Sequence, residues 1–279
     1  MIERINMNLK QIAESGQCFR WKQLDESGKK YSIVAYGEYL QIEEIEENCF
    51  ELSCTQFDFI TLWANYFDID GGTDYEGIKA AAAEKGGLIA DAVAEGAGIR
   101  ILRQTAWEML ITFLTAQNIS IARATTLIER LCEKYGCWKQ TEGVEFTEFP
   151  TPEALATATP KDLRALGFGY RDKQIITAAR VVASGAVSLH KLARLDHDTA
   201  KLVLKNFCGV GDKVAECICL FGLGQYESYP IDTWVQKIED YFGQGYIQEN
   251  FPDYAGIVQQ YLFAYVRRHG LPERGNTCK

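Results

Sequence analysis

The sequence predicts an α+β protein, with a β-rich N-terminal lobe built on an antiparallel sheet and a larger all-α region after it. Three observations predict this. Apolar residues alternate with period two only in the early part of the chain. From about residue 100 they recur at helical spacing. Prolines and glycines then fall where helices begin and end. The expected division is residues 1–98 for the lobe, which also carries helices, and residues 99–279 for the helical domain.

Taken in order, Tyr31 to Tyr36 and Glu38 to Glu43 read as two strands separated by a turn at Gly37. Phe50, Leu52 and Cys54 alternate with polar neighbours, which is the strand period. An alanine-rich run from Ile78 to Ala94 reads as a helix stopped by a glycine. Trp107, Leu110, Phe113 and Leu114 mark the apolar face of the next helix, and Ile121, Ala124, Ile128, Leu131 and Tyr135 that of another. Leu163 to Leu166, Ile175 to Val182 and Asp253 to Arg268 add three more. Pro150, Pro152 and Pro160 stand at their joints.

Composition narrows the class. The chain has 279 residues, 47% of them hydrophobic, enough to bury a core without disulfides or a structural metal. The first ten residues lack the apolar run of a secretory signal, and no segment is apolar enough to span a bilayer. An intracellular protein with no membrane partner is expected. Nine cysteines are scattered without a Cys-x-x-Cys pair, and there are three histidines, so zinc and iron–sulfur sites are disfavoured. The cysteines read as reduced packing residues. Asp68, Asp70 and Asp74 hint at a calcium loop, but the glycine is out of register and Lys79 stands at the closing position, so a solvated turn is expected. The net charge of −9 opposes indiscriminate attraction to phosphate and leaves only a local basic face for nucleic acid.

The segment from Leu202 to Phe242 carries the chemistry. A helix ending near Phe207-Cys208 leads through Gly209-Val210-Gly211 and Asp212 into a second helix from Lys213 to Leu220. The unpaired amides and dipole at the start of that helix suit a phosphate, and glycine lets a nucleic-acid backbone come close. Taken alone, such a hairpin is more often a plain helix connection. Lys213 sharpens it, because a lysine in the first turn of an apolar helix sits at the unfavourable end of the dipole, and partial burial would favour its nucleophilic neutral amine. The ordinary reading of a lone lysine there is a solvated charge. Asp232 is placed to cap the following helix, a role compatible with chemistry.

The run from Phe207 to Leu220 followed by Pro230-Ile231-Asp232 resembles the helix-hairpin-helix, Gly/Pro…Asp superfamily of DNA glycosylases, and within it the 8-oxoguanine DNA glycosylase family. The likeness extends to Ser15-Gly16-Gln17-Cys18-Phe19-Arg20-Trp21, to Asn118 with Ile121-Ala122-Arg123, to Gly167-Phe168-Gly169-Tyr170-Arg171, and to Gln259 with Phe263. It implies an enzyme that flips 8-oxoguanine out of double-stranded DNA, attacks its sugar with Lys213 assisted by Asp232, and cleaves the strand by β-elimination. The carbonyl of Gly16 would accept the N7 hydrogen, Phe263 and Cys217 would sandwich the base, and Gln259 would bond its Watson–Crick edge. Tyr170 would wedge into the duplex, Asn118, Arg123 and Arg171 would contact the orphaned cytosine, and Gly209, Gly211 and Trp234 would lie on the backbone. The resemblance further implies a monomer that needs no cofactor for chemistry, with a structural cation on the carbonyls of Lys205, Phe207 and Val210.

The sequence departs from the family pattern at three places. Cys208 replaces the usual proline, Trp234 replaces a histidine and carries no charge for a phosphate, and the probing loop is reduced to Gln117-Asn118-Ile119-Ser120. The cysteine cluster of iron–sulfur relatives is absent, with only Cys278 near that end. The alternatives are a glycosylase of the same superfamily for another damaged base, or a non-catalytic helix-hairpin-helix DNA-binding protein.

Overall fold

In the computed structural model, which describes residues 1–272, the N-terminal lobe is a five-stranded sheet. Its strands are β1 (Ile2–Arg4), β2 (Trp21–Gln23), β3 (Lys30–Ala35), β4 (Glu38–Glu46) and β5 (Cys49–Leu52), paired antiparallel in the order β1-β5-β4-β3-β2. The β3–β4 register sets Ile33 opposite Leu40 and Tyr31 opposite Ile42. All four are buried, so one face of the sheet is committed to the core. Tyr36 and Gly37 turn the hairpin with φ of 54° and 77°, the left-handed pair that matches strand twist. Tyr36 thus belongs to the turn and not to the strand.

The helical body corrects the sequence reading in three places. The run expected as one helix from Ile78 to Ala94 is two, Tyr75–Ala83 and Gly87–Glu95, because Gly86 and Gly87 both take left-handed φ and break the ladder. The helical region is not all-α. It holds a two-stranded ribbon, β6 (Trp138–Thr141) and β7 (Val144–Thr147), turned at Glu142-Gly143 with φ of 48° and 81°. The aspartate run is a turn with Asp70 and Asp74 exposed, as expected, but Asp68 is not solvated. Asp68 is 1% exposed, pairs with Arg103 at 2.5 Å, and accepts from the hydroxyls of Tyr75 and Tyr226, each at 2.8 Å. Asp74 caps helix Tyr75–Ala83 through the Gly77 amide. No cluster of metal ligands occurs among the described residues.

Two hydrophobic cores organise the chain, and they do not meet at one point in the sequence. The first lies under the sheet and gathers Ile12, Ile33, Leu40, Phe50, Trp63 and Phe67, together with Leu102. The second fills the helical body and includes Ile89 and Ala92, since helix Gly87–Glu95 packs on the C-terminal helix Ala255–His269. Cys18, Cys49, Cys132, Cys217 and Cys219 are buried as packing residues, whereas Cys137 and Cys208 are exposed. Cys278 lies outside the described residues. No helix of the described chain is long and apolar enough to cross a membrane.

Glu108 sits where the two cores approach, buried on helix Ala106–Ala116. Burial pushes its carboxyl up to about 7, with the nearby Arg20 guanidinium pulling the other way. The folded protein therefore holds a proton that the unfolded chain releases near 4.5. Stability is expected to fall as pH rises from that ordinary range toward 7, by a total on the order of 3 kcal/mol. Glu108→Gln should flatten this slope in urea titrations run from about pH 5 to pH 8; an unchanged slope would show that Glu108 does not cause it.

Candidate active site

The hairpin is built by two helices, His197–Leu204 and Asp212–Leu223. Asp196 caps the first through the Thr199 amide at 2.9 Å. Between them the chain turns at Gly209, with φ +88°, where a Cβ would meet the Gln174 carboxamide within 2.4 to 2.8 Å. Gly211 begins the second helix, and no side chain caps it. Its first-turn amides face outward without a capping partner. A Cβ on Gly211 would meet nothing within 4 Å, so this end is open to an approaching chain. The Phe207 carbonyl accepts from the Val210 amide at 3.0 Å and keeps one lone pair. Backbone oxygens of this kind fit a hard cation.

Lys213 and Asp232 line one cleft of about 180 Å³, together with Gly16, Phe19, Phe113, Cys217, Phe221, Gln259, Gln260 and Phe263. That volume is below the roughly 300–1,000 Å³ of sites for drug-sized ligands and suits a single planar ring system. The Lys213 ammonium stands 5.3 Å from the Phe113 ring centroid, and Phe113 in turn stacks on Phe221 at 5.7 Å. Lys213 is exposed rather than half-buried, so the desolvation expected from its sequence position is absent in this state. It forms no direct ion pair with Asp232 among the described residues. Asp232 does cap helix Thr233–Phe242. Its Oδ1 accepts from the amides of Trp234 and Val235 at 2.8 and 2.9 Å, leaving the second oxygen for the cleft. Cys217 is the other nucleophile in reach. Burial pushes its thiol up to about 11, against the opposing charge of Lys213, so it stays protonated and inert at neutral pH.

Glu216 fastens this arrangement from the far side of the same helix. Its buried carboxylate accepts from Lys201 at 2.6 Å, His197 at 2.9 Å and the Tyr229 amide at 3.0 Å. One side chain thus joins both hairpin helices to the segment that delivers Asp232. Burial opposes its charge, yet the hydrogen bonds from His197 and Lys201 hold the carboxyl below its ordinary value. The bond to Glu216 raises His197 in turn. The carboxylate's contribution is present above the usual carboxyl range and lost in acid; that of His197 is lost as pH rises through its raised value.

The remaining predicted residues occupy defined places. Gly16, with φ +80°, lies against Ile121 and Phe263, on a loop clamped by buried Gln17, which binds Ser15, Arg100 and Leu102. Gln259 is buried and donates to the Pro230 carbonyl at 2.7 Å. Tyr170 is 58% exposed, and its hydroxyl accepts from Asn118, itself in left-handed backbone at φ +55°. Arg123 is exposed, beside Gly167. Arg171 is buried, stacks under Tyr170 at 4.6 Å, and donates to the carbonyls of Gln117 and Phe168. In this state it braces the loops instead of projecting from them. Trp234 carries Lys237 over its ring at 4.3 Å. Arg123, Lys173 and Lys213 have no acidic ion-pair partner among the described residues, whereas Lys201 and Lys205 pair with Asp212. These three cations are not neutralised by acids of the described fold, which is what an acidic chain needs to meet phosphate.

Sequence reasoning missed Phe19, Phe221, Gln260 and Glu216. Helical spacing marks phenylalanines as core without separating a core position from a cleft wall. The signal for Gln260 was available: two consecutive glutamines in an otherwise apolar helix face. A larger groove of about 550 Å³ shares Ile121 with the cleft. It offers no nucleophile, and its Arg268 and Arg267 are taken up by Glu95 and the Glu14 carbonyl. The smaller cleft is therefore the candidate for chemistry.

Comparison with known proteins agrees with this geometry. The family described as 8-oxoguanine DNA glycosylase, N-terminal domain, matches residues 1–110, and the HhH-GPD superfamily of base excision DNA repair proteins matches residues 111–277. The chain belongs to the 8-oxoguanine DNA glycosylase family. Similar solved structures include MBOgg1 in complex with a low affinity DNA ligand, 34% identical with a TM-score of 0.90, covering 97% of this chain and 96% of that one. The Clostridium acetobutylicum 8-oxoguanine glycosylase/lyase, in complex with dsDNA containing cytosine opposite 8-oxoG, is 31% identical with a TM-score of 0.88, covering 97% of this chain and 99% of that one. The Saccharomyces cerevisiae N-glycosylase/DNA lyase is 39% identical over 153 residues, a match spanning 50% of this chain and 41% of the yeast protein.

The two hairpin glycines of this family member should separate in a stability test. Gly209→Ala is expected to cost more than about 1 kcal/mol in denaturant titration, because its φ and the Gln174 contact both oppose a side chain. Gly211→Ala, at φ −93° in open space, should leave stability within about 0.5 kcal/mol. Equal losses would contradict the assigned geometry.

Proposed function

We propose that the protein is a bifunctional DNA glycosylase and AP lyase that excises 8-oxoguanine from duplex DNA. The observation that carries this is the meeting of Lys213 and Asp232 in a ring-sized cleft whose other walls are Cys217, Gln259, Phe263 and Gly16. A nucleotide must leave the stack for its sugar to reach such a cleft. The Lys213 amine then attacks C1′ while the bond from C1′ to the base breaks, and the base departs carrying the bonding electrons. Opening of the sugar ring leaves a Schiff base on Lys213, and loss of a C2′ proton expels the 3′ phosphate. Asp232 stabilises the positive charge that builds on the sugar. The Gly16 carbonyl accepts the N7 hydrogen that guanine lacks, and Gln259 bonds the Watson–Crick edge.

The DNA lies across the hairpin, with phosphate at Gly209, Gly211 and the open helix start. Trp234 adds an indole donor there. Tyr170 fills the gap left by the flipped nucleotide, while Asn118, Arg123 and Arg171 read the orphaned base. The carbonyls of Lys205, Phe207 and Val210 would hold a cation that stiffens the hairpin; no cofactor takes part in the chemistry. We propose a monomer that works on DNA inside the cell, with residues 1–98 supporting the base pocket and the rest carrying the hairpin. The two similar structures, both DNA complexes and one of them a glycosylase/lyase on dsDNA containing cytosine opposite 8-oxoG, support this reading.

Single-turnover excision on a duplex with one 8-oxoguanine opposite cytosine tests it. The wild type should release the base and nick the strand. Lys213→Gln should do neither. Asp232→Asn keeps the helix cap and should slow excision by roughly 10²–10³-fold with little change in melting temperature. A Lys213→Gln protein that excises at the wild-type rate would refute the assignment.

A further inference from the structure

Gln260 is buried in the wall of the cleft and has no assigned task. It is 4% exposed, and its carboxamide oxygen finds no hydrogen-bond partner. A buried amide left in that condition costs on the order of 1–3 kcal/mol and calls for an explanation. Among the buried side-chain polar atoms without partners in the described residues, two lie on residues lining the Lys213–Asp232 cleft, and they are the amide oxygens of Gln259 and Gln260. The orientation of Gln259 is set by chemistry. The Pro230 carbonyl can only accept, so the Gln259 amide nitrogen must face it at 2.7 Å and the oxygen is left free. The Gln260 amide has no hydrogen bond among the described residues to fix its flip, so it is free to turn its oxygen to the cleft beside that of Gln259 on helix Ala255–His269.

We infer that Gln260 is a second base-reading residue, whose amide oxygen accepts from the exocyclic 2-amino group of the flipped base. The inference rests on the functional reading above and deepens it. The Watson–Crick edge of 8-oxoguanine offers two donors side by side, the N1 hydrogen and the 2-amino group. One acceptor on Gln259 cannot align with both at full strength, and a second acceptor beside it satisfies the pair. A site built to hydrogen-bond a substrate N–H rejects the analogue that lacks it, because its own buried acceptor is then left unpaired. Lys213 and Asp232 are committed to the sugar in that reading, one as the nucleophile and the other through the oxygen its helix cap leaves free.

The test compares excision of 8-oxoguanine with that of 8-oxohypoxanthine, which keeps the 8-oxo group and the N7 hydrogen but lacks the 2-amino group. Both are placed opposite cytosine in the same duplex. Wild type should favour 8-oxoguanine by roughly tenfold or more in single-turnover rate at subsaturating enzyme, the worth of one well-made hydrogen bond. Gln260→Leu, of similar volume, should lower that ratio by roughly tenfold. The ratio is taken within one protein, so a general loss of activity cancels, and a melting temperature near that of the wild type checks folding. A ratio unchanged in Gln260→Leu, whether both rates fall together or neither does, would assign Gln260 to wall packing and overturn the inference. A wild type that excises neither base would sink the functional reading, and the inference with it.

Discussion

A single carboxylate holds the working geometry together. Glu216 looks away from the cleft, yet from its position on the second hairpin helix it binds His197 and Lys201 of the first and the backbone just before Asp232. Lys213 and Cys217 leave the same helix on the cleft side. Fixing Glu216 thus fixes where the amine and the carboxylate partner stand relative to each other. Two cations and a backbone amide on one buried carboxylate satisfy it well enough to offset its desolvation, which is the condition for a buried charge to persist. A loosely held Asp232 would be a poor stabiliser of developing positive charge, because electrostatic catalysis depends on groups that need no rearrangement.

The rest of the fold extends that constraint outward. The C-terminal helix supplies Gln259, Gln260 and Phe263 along one wall, and is itself held by packing against helix Gly87–Glu95. The sheet lobe contributes the loop at Gly16, pinned by Gln17 to the segment joining the two cores. Arg103 does the same for the far side of that segment through Asp68 and Asp70. The acidic surface and a DNA partner are compatible on this plan. Many acids are paired within the fold, while Arg123, Lys173 and Lys213 have no acidic ion-pair partner among the described residues.

Much of this was legible in the residues, for identifiable reasons. Period-two alternation at Phe50 and Leu52, and helical spacing from Trp107 onward, follow from burial of one face and needed no tertiary knowledge. The Gly-Val-Gly hairpin, Lys213 and Asp232 were visible because glycines at a helix start and a lysine in the first turn of an apolar helix are unusual residue types at close spacing. The misses have physical causes too. Two glycines inside an alanine-rich run break a helix that propensity alone would continue. The β6–β7 ribbon has four residues a strand and buries only Phe146 and Thr147, so its alternation carries little apolar signal. Asp68 looked solvated because its partners, Tyr75, Arg103 and Tyr226, are brought to it only by folding. Lys213 proved more exposed than a helix-embedded lysine suggests, since it stands at the lip of an open cleft.

The account stands or falls on which atom bonds to the sugar. Wild-type enzyme incubated with an 8-oxoguanine duplex and sodium borohydride, then digested and sequenced by mass spectrometry, identifies that atom directly. The predicted result is one modified peptide, carrying the reduced sugar on the Lys213 side chain. A sugar mapped to the N-terminal amine or any other lysine, or base release with no reducible adduct, would contradict it.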